Sequence, residues 1–241
     1  MVRLIGLFGA VAFCFSTSAV AQTSDQAVID QYWARWNDGE GLKLLNHLAK
    51  CVAERHPAAA DAFVTNTTDA TALQKDQEHL VDTGCIKKYW FRTSSTTIDP
   101  EAYRPMLAEA LLTTSYSSGS IPAVNAVTAE LDRPRLPNVP IEKVHPYYRV
   151  MFLIDKHNAA LAGYSECIVR QQQDAVLALA VTPLNSEEEA TAIAEIEKAS
   201  PNCDPYRPDV SFPSYVRRGD LMLQLYSLTR LAGGQVPQSR S

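Results

Sequence analysis

The feature of the sequence that most restricts the fold is the spacing of its cysteines. Cys51 and Cys85 lie 34 positions apart, and Cys167 and Cys203 lie 36 apart. The remaining cysteine, Cys14, falls in an apolar N-terminal segment. An even number of cysteines outside that segment indicates disulfide bonds formed in an oxidising compartment. Four cysteines allow three pairings, and their spacing alone does not choose among them.

A degenerate internal repeat favours one of these pairings. Three pairs of segments correspond in the same order: 48–54 with 164–170, 63–65 with 180–182, and 104–112 with 218–226. Chance accounts for any one of these matches, but their common order and nearly constant offset favour a duplication. If the ancestral unit folded alone, its two cysteines had only each other. We therefore predict the disulfides Cys51–Cys85 and Cys167–Cys203.

Apolar periodicity predicts that each unit is mainly helical. Leu48, Cys51 and Val52 have the three- and four-residue spacing that places side chains on one face of a helix. Ser186 with Glu189 three positions later fits a capping box, which marks the start of another helix. The sequence thus predicts a mainly α fold built from a duplicated, disulfide-stapled helical unit.

The sequence also predicts how the chain is divided. The predicted segments are a signal peptide at 1–21, a first helical unit at 22–113, a Pro/Ser-rich connection at 114–146, a second helical unit at 147–232 and a disordered tail at 233–241. Within the second unit, residues 147–154 are rich in aromatic and branched side chains. That composition suits a short strand or a buried helix equally, so the type of this segment stays open.

The N-terminus has the parts of an export signal. Arg3 supplies a positive charge, and the apolar stretch 4–15 is shorter than the ~20 residues that a membrane-spanning helix needs. Ala19 and Ala21 provide the small side chains that signal peptidase accepts, which predicts cleavage after Ala21. Phe13 is too large for the position before a lipidated cysteine. A periplasmic or secreted protein without a lipid anchor is therefore expected.

Charge and hydropathy disfavour two classes of partner. The chain has a formal net charge of -5, and loss of Arg3 with the signal makes the mature protein more acidic still. Nucleic acids attract clustered positive charge, so no nucleic-acid partner is expected. No apolar stretch after the signal is long enough for a bilayer, so no membrane span is expected after cleavage.

Two arginines recur at equivalent positions of the repeat. Arg104 and Arg218 each stand at the start of the segment that forms the last helix of a unit. A guanidinium group there can tie the helix to a neighbouring carboxylate or carbonyl, or it can bind an anion. We favour the structural role for both.

No motif in the sequence indicates a catalytic site, a cofactor or a metal. His47 and Cys51 are spaced as two ligands on one helix face, but the disulfide is the better use of Cys51. His56 and His79 have no recognisable nucleophile motif nearby, and we expect both to be exposed polar residues. We therefore expect no cofactor and no metal, and the sequence does not identify any catalytic residue.

The sequence around the cysteine pairs resembles a group of proteins of unknown activity. Cys-Val after position 50, Cys-Ile-Val after position 166 and the R-x-x-L-A-E-A-L pattern from Arg104 resemble uncharacterised exported proteins of alphaproteobacteria. The resemblance spans both units. It implies a periplasmic or secreted location in a Gram-negative bacterium and carries no activity.

Two functional hypotheses from different classes follow. The leading one is an exported, soluble, non-enzymatic binding or interaction module with a protein or small-molecule partner, since a rigid helical unit is predicted and no reactive cluster is. The alternative is an extracytoplasmic hydrolase whose residues come together only in the fold. A cleft that holds His56 or His79 beside a carboxylate and a hydroxyl would favour the hydrolase.

Processing provides the first test. We expect the mature protein to begin at Gln22, because Ala19 and Ala21 present small side chains to the peptidase. N-terminal sequencing of protein recovered from the periplasm or the medium checks this. A product that retains residues 4–15, or that starts with a lipidated Cys14, would contradict it.

Overall fold

The structure of the protein is a computed structural model. It describes residues 17–34, 39–65, 77–86, 98–116, 121–131 and 139–233. The predicted signal segment up to residue 16 and the tail from residue 234 lie outside the described residues.

Helices provide all the regular secondary structure of the described residues. In chain order the α-helices are α1 Thr17–Ala34, α2 Gly39–Arg55, α3 Pro57–Thr65, α4 Gln77–Leu80, α5 Thr83–Ile86, α6 Pro100–Ser115, α7 Arg149–Gln171, α8 Gln173–Ala178, α9 Glu187–Lys198 and α10 Ser214–Leu231. The 3₁₀ turns are η1 Ile141–Lys143, η2 Pro146–Tyr148, η3 Leu179–Val181 and η4 Pro201–Tyr206. The predicted mainly α fold is confirmed.

The segment 147–154 is helical, and the strand alternative for it is wrong. It forms the end of η2 and the first turns of α7. Ile154, Leu161 and Ile168 repeat every seven residues along α7 and are buried, which is the spacing of one helix face. Tyr147 and Val150 are exposed instead of packing into a core. The apolar composition suited a buried strand, but only one face of this segment packs inward.

The two predicted units share a single main core. Helix α6 packs most extensively against α2 and α10, and α10 in turn packs against α7 and α9. Buried side chains of both halves, such as Val52, Leu111 and Leu225, belong to the same apolar cluster. A smaller cluster joins α1 to α7 through Ile29 and Ile154. The division into units stays a prediction, because packing between the halves is as continuous as packing within them.

Helices α6 and α10 approach each other closely where Pro105 meets Gly219. A Cβ atom placed on Gly219 would lie 2.9 Å from the Cβ of Pro105, too near for ordinary contact. Glycine therefore permits this crossing. The two residues follow Arg104 and Arg218, which puts the predicted equivalent positions of the repeat face to face.

Both cysteine pairs are at disulfide distance. The sulfur atoms of Cys51 on α2 and Cys85 on α5 are 2.10 Å apart. Those of Cys167 on α7 and Cys203 on η4 are 2.06 Å apart. In each half the first cysteine is on the long helix that precedes the second, and the bond ties that helix to a short turn further along the chain.

The connection between the halves is irregular where it is described. In residues 121–131, the backbone N–H of Val124 donates to the side chain of Gln173 at 2.9 Å. Arg170 donates to the carbonyls of Val127 and Ala129 from the end of α7. Two side chains of the second half thus hold this proline-interrupted segment against the helices. No helix within the described ranges is long and apolar enough to cross a membrane.

Reduction of the disulfides provides the second test. On the chain-entropy model, each closed loop contributes roughly 3 to 4 kcal/mol to the free energy of unfolding. We expect a reductant to lower the melting temperature clearly, as measured by circular dichroism. Peptide mapping under non-reducing conditions should recover only the pairs Cys51–Cys85 and Cys167–Cys203. A peptide that links the halves would contradict the pairing.

Candidate binding cavity

A cavity of about 710 Å³ lies among helices α6, α7 and α10 and the ends of α1, α2 and α3. Most of its wall is apolar. The apolar side chains include Trp33, Leu42, Val64, Met106, Leu161 and Leu223. The exposed lining residues Thr65, Glu101, Glu130, Asp155 and Leu231 mark where it meets solvent.

Small residues on the facing helices leave this space open. Ala102 on α6 and Ala159 and Ala162 on α7 line the cavity with methyl groups only. The Pro105–Gly219 contact, also in the lining, holds α6 and α10 together beside it. The neighbouring core cannot fill the space, because close-packed side chains adjust little once their helices are fixed.

A buried arginine fixes the helices around the cavity. Arg218 on α10 is 2% exposed. Its Nε and Nη2 donate to the two carboxylate oxygens of Glu109 on α6, at 2.8 and 2.7 Å. Its Nη1 donates to Glu189 on α9 at 2.9 Å and to the carbonyl of Thr182 at 3.0 Å. We call Arg218, Glu109 and Glu189 the arginine network; it joins three helices at one point.

The network compensates the cost of burying its charges. Burial by itself lowers the pKa of Arg218, but the hydrogen bonds and negative charge of Glu109 and Glu189 outweigh it and leave that pKa above its ordinary value. Glu189 also accepts the backbone N–H of Asn185 at 3.1 Å. The guanidinium group is therefore permanently charged and fully engaged with the protein.

Arg104 has different surroundings from Arg218. Its guanidinium carbon lies 5.4 Å from the centre of the Phe63 ring, and its side chain is half-buried in the cavity wall. Burial lowers the pKa of Arg104, and the charge of Glu101 opposes that shift. By the repeat, the partner corresponding to Glu109 is Leu223, which cannot accept a hydrogen bond. The carboxylate that Arg218 meets at position 109 is thus replaced by an apolar side chain at the equivalent position for Arg104.

Some polar groups of the wall have no partner in the described part of the protein. The Oδ1 atom of Asn158 and the Nε1 atom of Trp33 are both buried without a hydrogen bond. Asp155, one turn before Asn158 on α7, makes no ion pair with another described residue, and partial burial raises its pKa. Its carboxylate is exposed in the lining and is therefore an acceptor that an occupant could reach.

The histidines form a separate cluster near the first disulfide. The Nε2 atom of His56 lies 2.9 Å from a carboxylate oxygen of Asp82, and the ring of His79 is 5.1 Å from that of His56. The His56 hydrogen bond lowers the pKa of Asp82, aided by the backbone of Gly84 and the charge of Arg55. Neither histidine is in the cavity lining. No described serine or threonine hydroxyl hydrogen-bonds to His56.

The other sequence candidates do not converge on the cavity. Cys51 is bonded to Cys85, and His47 is exposed on α2. Among the described side chains, no group of three or more His, Cys, Asp or Glu residues could hold a metal ion.

Comparison with known proteins adds no family assignment. No protein family matches the chain, and no curated protein or solved structure is significantly similar to it. The case for a function therefore depends on the cavity and the groups that line it.

Sequence reasoning missed the carboxylate partners of Arg218. Glu109 interrupts the apolar run 106–112, and a carboxylate in such a run needs a buried partner. The position of Glu109 in this run indicates a buried cationic partner, but the sequence does not indicate which residue that partner is. The capping-box pattern accounts for Glu189 by its place at the start of a helix and does not indicate a buried cation beside it. Ser186 does cap that helix, accepting the Glu189 N–H at 3.1 Å.

Removal of each arginine provides the third test. We expect Arg218→Ala to lower the free energy of unfolding by about 3 to 5 kcal/mol, because it leaves two buried carboxylates without their cation. Arg104→Ala should cost less, about 1 kcal/mol, since the Arg104 side chain is only half-buried, against the ring of Phe63. Urea denaturation of the oxidised protein measures both. Equal losses of unfolding free energy would contradict this prediction and show that the two arginines contribute equally to stability.

Proposed function

We propose that this protein is an exported, non-enzymatic binding protein that holds a small, mainly apolar molecule in the cavity. The observation that carries the proposal is the cavity itself. Its volume of about 710 Å³ falls in the range of small-molecule sites, which is roughly 300 to 1,000 Å³. Its wall is apolar with a few polar groups, the composition typical of such sites.

A rigid frame supports a cavity that exists before the ligand arrives. The two disulfides restrain α2 and α7, and the arginine network joins α6, α9 and α10. A preformed site loses less conformational entropy on binding than one that must be assembled. The fold therefore favours capture of a ligand without a large rearrangement.

The indole ring of Trp33 adds aromatic surface to the wall. Trp33 is 5% exposed and lines the cavity. An apolar ring or chain of an occupant can pack against this ring.

The export signal and the disulfides support a location outside the cytoplasm. Two disulfides persist in an oxidising compartment, and the predicted signal peptide directs the chain there. A periplasmic or secreted location in a Gram-negative bacterium is part of this proposal, in line with the resemblance of the cysteine segments to alphaproteobacterial proteins.

The hydrolase alternative has less support. It requires a histidine, a carboxylate and a nucleophile around one cleft. His56 and Asp82 supply the first two, but neither is in the lining of the cavity. The groups that resemble catalytic machinery and the space that could admit a substrate are therefore in different parts of the fold.

Filling the cavity provides the fourth test. The mature oxidised protein should bind the neutral fluorophore N-phenyl-1-naphthylamine with enhanced emission, because the apolar wall excludes water from the dye. Ala162→Phe should weaken that binding by about tenfold or more, since its ring occupies cavity volume. Fluorescence titration measures both.

Ala175→Phe is the matched control. Ala175 is exposed on α8 and outside the cavity lining, so its substitution should leave dye affinity unchanged. Melting temperatures of both variants establish that each is folded. Wild-type protein that does not bind the dye, or two variants that bind it equally, would contradict the proposed site.

A further inference from the structure

We propose that the ligand of this cavity is a cationic amphiphile: an apolar chain or ring system that carries a protonated amine beside Asp155 and Asn158. This inference rests on the proposed binding function and names the chemical class of the ligand. The apolar body would pack among Trp33 and Leu161, and the amine would lie toward the exposed edge of the cavity.

The balance of charges in the wall is the first argument. Five carboxylates and three guanidinium groups line the cavity, which leaves an excess of negative charge. The carboxylates are those of Glu101, Glu109, Glu130, Asp155 and Asp220, and the guanidinium groups are those of Arg104, Arg218 and Arg230. A cation is attracted by this excess, and an anion is repelled by it.

The charges of Arg218 and Arg230 do not offset the excess, because carboxylates of the protein already neutralise these two. Arg218 is engaged by Glu109 and by Glu189, and the latter is outside the lining. Arg230 lies 3.0 Å from a carboxylate oxygen of Asp61, which is also outside the lining. An anionic ligand would have to displace one of these carboxylates to reach either of these guanidinium groups.

Asp155 provides the second argument, because its carboxylate can accept one donor group. Asp155 and Asn158 both line the cavity and are three residues apart on α7, so both side chains face the same side of the helix. A carboxylate accepts hydrogen bonds but cannot donate them, so Asp155 selects a donor.

The position of Asp155 favours a charged donor over a neutral one. Its carboxylate is at the exposed edge of an apolar cavity, and its surroundings already remove part of its hydration. A bound ammonium group would replace that hydration with a charge-assisted hydrogen bond, about twice as strong as a neutral one. Glu130 adds a second exposed carboxylate to the lining.

The test compares three probes of equal chain length. The mature oxidised protein is titrated at pH 7 with n-octylamine, n-octanol and n-octanoate, each below its aggregation limit, by isothermal calorimetry. We expect octylamine to bind about tenfold more tightly than octanol, and octanoate to bind most weakly. Octanoate that binds as tightly as octylamine would overturn the inference.

Asp155→Asn separates the charge from the shape of the site. It should lower octylamine affinity about tenfold and leave octanol affinity unchanged, because it removes one negative charge from an exposed position without changing the volume of the side chain. The matched control is Asp174→Asn on α8, an exposed residue outside the lining, which should alter neither affinity. The unchanged octanol affinity also shows that the Asp155 variant is folded.

The outcomes distinguish this inference from the function on which it rests. If octanol binds and octylamine binds no better, the cavity is a ligand site but its ligand is not cationic, and the inference fails alone. If none of the three probes binds, the proposed binding function fails with it. An Asp155 variant that keeps the full preference for octylamine would also overturn the assignment of the amine to this residue.

Discussion

The buried guanidinium group of Arg218 is the interaction on which the arrangement of the helices depends. A charge taken out of water is costly unless it is paired and hydrogen-bonded, and Arg218 meets both conditions through Glu109 and Glu189. The two hydrogen bonds of this ion pair require a fixed distance and a shared plane between the guanidinium group and the Glu109 carboxylate. Helices α6 and α10 therefore cannot slide past each other without breaking them. The same crossing brings Pro105 against Gly219, where packing allows no larger side chain. The ion pair and the close packing therefore both fix the position of α6 relative to α10.

This fixed crossing explains how a large cavity can persist beside a close-packed core. Protein interiors fill their voids when helices are free to move, and an unfilled apolar void reduces stability. Here α6 and α10 are held by the arginine network, α7 by a disulfide to η4, and α2 by a disulfide to α5. Alanines on the facing surfaces leave the space between them. Because these helices are restrained, the fold keeps a void that helices free to move would close.

The sequence predicted the framework of this fold better than its interior. The cysteine pairs follow from the internal repeat, and the helical character of the chain follows from apolar periodicity; these are repeated or local properties of the sequence. The secondary structure of residues 147–154 could not be predicted, because composition does not indicate that only one face of the segment packs inward. The repeat placed Arg104 and Arg218 at equivalent positions, but Arg218 meets a carboxylate 109 positions away and Arg104 has Leu223 at the corresponding place. The cavity could not be predicted from the sequence either, since its wall is formed mainly by three helices together.

The charges of the protein divide into those that build the site and those that a ligand would meet. Arg218 and Glu109 satisfy each other, and a ligand that competed for either would have to break a buried ion pair. Asp155 and Glu130 make no ion pair with another described residue, and they lie where the cavity meets solvent. The ion pairs of Arg218 and Arg230 use up much of the positive charge of the wall. If the cavity binds a ligand as we propose, the negative charge that remains in the wall, more than the number of arginines in the lining, favours a cationic one.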